Sequence, residues 1–105
     1  MIRFDIEHVG TAGGFSFEVH WGGATLLSRN GSTVDGQITG RADAALITGG
    51  ALLSHQSWGN SLAFAAGAGK STDDFTAGIT VDLLARTTQA SDSVILRNYT
   101  VVRLP

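Results

Sequence analysis

Cysteine is absent from the 105 residues of the sequence. Its absence excludes disulfide bonds, thiolate metal sites and cysteine nucleophiles. Small secreted domains commonly depend on disulfides, so a chain of this size without cysteine is expected to be made inside a cell. The first residues agree with this expectation, because the charges at Arg3, Asp5 and Glu7 do not fit a secretory signal peptide.

Charged residues are scarce, at 15% of the chain, and the formal net charge is -2. A chain without an excess of lysine and arginine has no surface suited to a phosphate backbone or an anionic membrane. We therefore predict no nucleic-acid partner and no membrane partner, and no apolar run approaches the ~20 residues of a membrane-spanning helix. Low charge beside 43% hydrophobic residues favours a subunit that buries its surface in an assembly.

Proline is also rare, with one residue at position 105, whereas glycine occurs 14 times. Apolar and polar side chains alternate in IRFDIEH (residues 2–8) and FSFEVHW (residues 15–21), which places one face of each strand on a core. No segment sustains the spacing of an amphipathic helix. We predict an all-β fold, an antiparallel jelly-roll or β-sandwich of about eight short strands, with residues 1–105 as one domain.

Turn residues divide this predicted fold into segments. Turns or bends are predicted at residues 21–23, 30–31 and 49–50. Among the predicted strands are residues 61–66, 75–86 and 93–104, the last with a bulge near Asn98, and residues 67–74 are predicted as a loop. The side chains predicted to face inward are Phe4, Ile6, Phe15, Phe17, Val19, Ile79, Val81, Leu83, Val94 and Leu96.

The segment AAGAGKST (residues 65–72) resembles a phosphate-binding loop in the order of Gly69, Lys70 and Ser71. The motif requires a further glycine five positions before Gly69, where this chain has Phe64. It also requires a following helix, whereas a strand pattern follows here. We therefore interpret the segment as a glycine-rich turn and predict no nucleotide cofactor.

No catalytic or metal-binding constellation stands out. Strand parity places His8 inward and His20 outward, so the two are poorly placed to share a metal ion. Asp5 and Glu7 lie about 7 Å apart on one outer face of a strand. Exposure of this face to solvent explains the two carboxylates. The sequence has no G-x-S-x-G motif. We predict a protein that is not an enzyme and has no metal, cofactor or catalytic residue.

The segment SHQSWGN (residues 54–60) is the best candidate for binding. The flat face of Trp58 suits stacking on a sugar ring, and His55, Gln56 and Asn60 suit hydrogen bonds to hydroxyls. The favoured alternative is that Trp58 anchors the core or a subunit interface. The candidate interface or glycan contacts are Trp21, His55, Gln56, Trp58, Asn60 and Tyr99.

The C-terminal run ITVDLLARTTQASDSVILRNYTVVRLP (residues 79–105) resembles the ending of small phage virion structural proteins with a jelly-roll, TNF-like β-sandwich domain. FEVHWGGATLLS (residues 17–28) and SWGNSLAF (residues 57–64) resemble strands of the same proteins. One departure is that those domains usually carry a strand or arm before the segment equivalent to IRFDIEH. The resemblance therefore implies either a minimal domain or a sheet edge that a neighbouring chain completes.

The resemblance implies a homotrimeric capsid decoration, cement or head-fibre subunit that packs on major capsid or tail proteins. The protein would be made in the cytoplasm of a host bacterium and reside in the virion. Two alternatives remain open. One is a tail-fibre or receptor-binding tip that binds a host surface glycan, and the other is a free-standing carbohydrate-binding module.

Overall fold

Alternating apolar residues and glycine-containing turns produce eight strands in the structure, a computed structural model that describes residues 1–103. The strands are β1 (Ile2–Val9), β2 (Phe15–Trp21), β3 (Ala24–Gly31), β4 (Gln37–Ile47), β5 (Gly50–Gly59), β6 (Ala65–Ser71), β7 (Val81–Thr87) and β8 (Ser93–Val101). A short 3-10 helix (Phe75–Ala77) precedes β7. No helix among the described residues is long and apolar enough to span a membrane.

The strands form two antiparallel sheets, which confirms the predicted β-sandwich. The five-stranded sheet has the order β6-β5-β4-β1-β8, and the three-stranded sheet has the order β3-β2-β7. The pairing is nested, because the first strand pairs with the last and the second pairs with the seventh. In these strand orders, β7 and β8 are each at the edge of their sheet.

The core lies between β1, β4 and β5 on one side and β2 and β3 on the other. Phe4 is 1% exposed, and its ring meets the ring of Phe17 edge-on at 6.0 Å between centroids. Gly40 lies opposite Phe4 on β4, where a Cβ atom would collide with the Phe4 ring. The buried apolar residues are Ile2, Phe4, Ile6, Phe15, Phe17, Val19, Leu26, Leu27, Ile38, Ala42, Ala51 and Leu53.

Two residues of the predicted core lie elsewhere. Ile79 is in the loop before β7, where it is half-buried. Leu96 has the inward parity of its partner Ile6, yet it is 41% exposed. It belongs to an edge strand of the wider sheet, and the three-stranded sheet does not cover it. Val81, Leu83 and Val94 are half-buried against the core, and the other predicted residues are buried.

Three predictions for residues 61–86 are wrong. The predicted strand at 61–66 is mostly loop, because β6 begins only at Ala65. The predicted loop at 67–74 is largely strand β6, which pairs with β5 from Ser57↔Ala65 to Ala51↔Ser71. Its glycines and alanines give no alternation of large side chains, so the strand left no pattern in the sequence. The predicted strand at 75–86 begins only at Val81. Before it, Asp74 accepts hydrogen bonds from the backbone N–H and hydroxyl of Thr76 and starts the 3-10 helix.

The turns in the structure agree in part with those predicted from the sequence. The turn at residues 21–23 is present, with Gly22 at φ 56°, and so is the hairpin turn at Gly49, with φ 82°. The turn predicted at residues 30–31 is displaced, because β3 continues to Gly31 and Asp35 closes the following loop by accepting from the Ser32 N–H at 2.7 Å.

The predicted bulge in the last strand is present. The register of β8 against β1 shifts between Asp5 and Ile6, which lie opposite Asn98 and Leu96. Strand β8 ends at Val101, and residue 104 of the predicted strand lies outside the described residues.

Candidate functional site

One side of the sandwich is formed by β7 and β8, the edge strands of the two sheets. Within residues 1–103 neither strand has a hydrogen-bonded neighbour on its outer edge. A cleft of about 190 Å³ lies between them and is lined by apolar side chains of both strands. We call this surface the open flank, and its exposed apolar residues are Leu84, Leu96, Tyr99 and Val101.

Strand β8 of the open flank has few of the features that protect sheet edges from pairing with other chains. In natural proteins, charges, prolines, bulges or covering segments keep edge strands from pairing with other chains. Strand β8 has a single bulge and a single charged residue, Arg97, and β7 has two charged residues, Asp82 and Arg86. Tyr99 and Val101 are 65% and 56% exposed, so large side chains flank unpaired backbone groups. The geometry suits association with another protein surface.

The opposite side of the sandwich is closed by Arg29. Its guanidinium donates to the carbonyl of Ser57 at 3.0 Å and to the carbonyl of Ala63 at 2.8 Å, which ties β3 to β5 and to the loop after it. His55 also lies on this inner side, against Gly67 of β6. Burial lowers the pKa of His55, and repulsion from Arg29 lowers it further, so its neutral form is favoured.

The outer face of the five-stranded sheet carries a shallow groove of about 610 Å³. Trp58, which is 42% exposed, lies at one end, and register places it opposite Thr39, which in turn lies opposite Asp5. We call this surface the Trp58 groove, and its polar and aromatic residues are Asp5, Glu7, Gln37, Thr39, Trp58, Asn60 and Arg97.

Several groups in the Trp58 groove are held in place. The Asn60 side-chain oxygen accepts from the N–H groups of Gly36 and Gln37 at 3.2 and 3.0 Å, which fixes the amide and leaves its NH2 group free to donate elsewhere. Glu7 accepts from Arg97 Nε at 2.9 Å. Within residues 1–103, no group of three or more His, Asp or Glu side chains is placed to hold a metal ion.

A buried pair of polar side chains lies apart from both surfaces. His8 Nε2 and Asp92 Oδ2 are 3.0 Å apart, and their side chains are 0% and 1% exposed. Asp92 also accepts from the N–H groups of Gly13 at 3.0 Å and Ala12 at 3.3 Å. Burial raises the pKa of Asp92, but the hydrogen bonds from Gly13, His8 and Ala12 outweigh it and hold that pKa below its usual value. Asp92, in the loop before β8, thereby ties that loop to His8 of β1 and to the β1–β2 loop.

Comparison with known proteins gives no assignment. No family model matches the chain, and no curated protein or solved structure matches it either. Function must therefore be inferred from the open flank and the Trp58 groove themselves.

The structure divides the residues predicted as interface or glycan contacts into separate places. Gln56, Trp58 and Asn60 share the outer face of β5 and its end, whereas His55 points to the inner side. Trp21 packs half-buried against the core, with its indole N–H buried and without a partner among the described residues. Tyr99 belongs to the open flank.

Other residues of the Trp58 groove were missed by sequence reasoning. Asp5 and Glu7 were expected on an outer face, but nothing local indicated that this face adjoins Trp58. Their proximity follows from the pairing of β1 with β4 and of β4 with β5, and Arg97 enters through the pairing of β8 with β1. The sequence prediction grouped His55 with Trp58 as joint sugar contacts, but both lie on β5, where residues three apart face opposite ways.

Proposed function

We propose that this protein is a non-enzymatic structural subunit of a bacteriophage virion, a capsid decoration or head-fibre subunit, that self-associates through the open flank. The observation that carries this proposal is the pair of unpaired edges, β7 and β8, with Leu96, Tyr99 and Val101 of β8 exposed. The resemblance of residues 17–28, 57–64 and 79–105 to phage virion proteins supplies the biological setting.

Self-association would remove the two features that make the open flank unfavourable in water. Contact between copies covers apolar side chains, and the removal of each apolar surface from water stabilises the assembly. It also covers the unpaired N–H and C=O groups of the edge strands. Closed rotational symmetry achieves this without leaving a further edge exposed. A trimer with the open flanks facing its axis satisfies these conditions and agrees with the resemblance.

The mass of the purified chain in solution tests this proposal. Light scattering over a concentration series is expected to give a trimer of about 33 kDa, against 10.9 kDa for one chain. Tyr99→Asp places a charge in the buried contact and is expected to weaken association at least about tenfold. Since Tyr99 is 65% exposed in the single chain, the variant is expected to stay folded.

The matched control is Val34→Asp, which introduces the same charge at a residue that is 68% exposed in the loop between β3 and β4, away from the open flank. Its association should equal that of the wild type. A wild-type chain that is monomeric at every concentration, or a Tyr99→Asp variant that associates as well as Val34→Asp, would contradict self-association through this surface.

A further inference from the structure

The geometry points to a second function: we propose that the Trp58 groove binds a neutral glycan, with a pyranose ring stacked on Trp58. This inference goes beyond the proposed structural role. It does not depend on self-association, because the groove lies on the outer face of the five-stranded sheet and its aromatic end is three strands away from the edge at β8.

Trp58 provides an apolar platform at the surface. A pyranose presents a face of C–H bonds that packs against a flat aromatic ring, and burial of that face is favourable. The indole is half-exposed, and Phe64 lies beside it with 6.1 Å between ring centroids and 38° between planes. The neighbouring ring limits the orientations of Trp58, so less side-chain entropy is lost when a ligand binds.

The polar groups around this platform match the hydroxyl groups of a sugar. Each hydroxyl donates one hydrogen bond and accepts others, so a sugar site needs both donors and acceptors. Asn60 has its oxygen engaged by backbone N–H groups and therefore offers donors. Glu7 accepts from Arg97 through one oxygen, which leaves the other as an acceptor. The Asp5 carboxylate adds acceptors on the adjacent row of the sheet.

Charge selects among glycans. The groove is lined by two carboxylates, Asp5 and Glu7, and by one guanidinium, Arg97, so its formal charge is negative. A uronic or sialic acid would bring its own carboxylate against this excess, and like charges in one site repel. The groove therefore favours glycans without charged groups.

The dimensions suit a short oligosaccharide. The volume of about 610 Å³ falls within the range of small-molecule sites, about 300–1,000 Å³. From Trp58 on β5 the groove crosses β4 and β1 to reach Arg97 on β8, which is a distance of about 14 Å at the usual strand spacing. A single sugar ring would fill only the end at Trp58, so a trisaccharide is the better probe.

Titration of the ¹⁵N-labelled chain with neutral trisaccharides tests the inference. The probes are cellotriose, maltotriose, α-mannotriose and tri-N-acetylchitotriose, and trigalacturonic acid is the charged comparison. We expect saturable shifts of the Gly59 and Asn60 amide signals with at least one neutral probe, at a dissociation constant of about 1 mM or below. Trigalacturonic acid should bind at least about tenfold more weakly.

Variants locate the binding. Trp58→Ala should weaken binding at least about tenfold, and Asp5→Asn, which keeps the size of the side chain, should weaken it by a smaller factor. Trp58→Phe should retain part of the affinity because it keeps an aromatic face. The matched control is Leu52→Ala, on the same outer face of β5 but about 20 Å along the strand, and it should bind like the wild type. The amide spectrum of each variant reports whether it is folded.

Three results would overturn the inference. The first is no saturable shift with any neutral trisaccharide up to about 10 mM. The second is a folded Trp58→Ala variant that binds as tightly as Leu52→Ala. The third is equal or tighter binding of trigalacturonic acid, which would contradict the selection by charge.

Discussion

Replacing Phe4 with alanine is expected to lower the free energy of unfolding by about 3–5 kcal/mol. Phe4 is 1% exposed and packs edge-on against Phe17, so the smaller side chain leaves a cavity between the two sheets. Domains of this size have a total stability of about 5–15 kcal/mol, and the variant would therefore lose a large part of it. Urea unfolding followed by circular dichroism measures the loss as a lower midpoint with an unchanged slope.

Phe64→Ala removes the same side chain from a residue that is 63% exposed in the loop between β5 and β6. Surface substitutions usually change stability by no more than about 0.5 kcal/mol, and the same is expected here. Equal losses for the two variants would mean that Phe4 does not lie between the sheets, and the assignment of the inner face of β1 would be wrong.

Sequence alone predicts best where the two faces of a strand differ in chemistry. In β1 and β2 large apolar residues alternate with charged or hydroxylated ones, and the buried face follows directly from parity. Strand β6 has no such contrast, since it consists of glycine and alanine up to Lys70. Its backbone pairing with β5 holds it in place, and the sequence shows no sign of a pairing that depends on backbone groups.

Coverage of a strand is also not a local property. Leu96 has inward parity and was expected in the core, but its exposure depends on how many strands the opposing sheet contains. Five strands face three, so the inner face of β8 extends beyond the cover. The sequence predicts that a residue faces the other layer, whereas only the strand order decides whether that layer reaches it.

In the candidate glycan site too, some residues can be selected from the local sequence and others only from the strand order. Trp58 and Asn60 could be selected from seven consecutive residues because an aromatic ring beside amides is suited to sugars. The acceptors that complete the groove come from β1, more than 50 positions earlier, and are brought near by two strand pairings. Local chemistry identified the platform, and topology supplied its polar surroundings.

Asp92→Asn is expected to destabilise the fold at neutral pH more than any substitution of an exposed carboxylate. The carboxylate of Asp92 accepts from His8, Gly13 and Ala12, and its side chain is 1% exposed. An asparagine amide offers one oxygen and an NH2 group, so donors would face donors in a site closed to water. Buried polar groups left without partners are costly, and the loop before β8 would lose its attachment to the β1–β2 loop. Thermal unfolding at pH 7 measures the loss.

The difference between the wild type and Asp92→Asn should depend on pH. Because the pKa of Asp92 is lower in the folded state than in the unfolded chain, its contribution to stability is present above the unfolded pKa and is lost as the pH falls through the folded pKa. The two unfolding curves should therefore approach each other below about pH 4. Asp74→Asn is the control, since hydrogen bonds from Thr76 lower the pKa of Asp74 but its carboxylate is exposed to solvent. A loss for Asp74→Asn as large as that for Asp92→Asn, or a difference between wild type and Asp92→Asn that persists in acid, would show that the buried Asp92 carboxylate does not stabilise the fold.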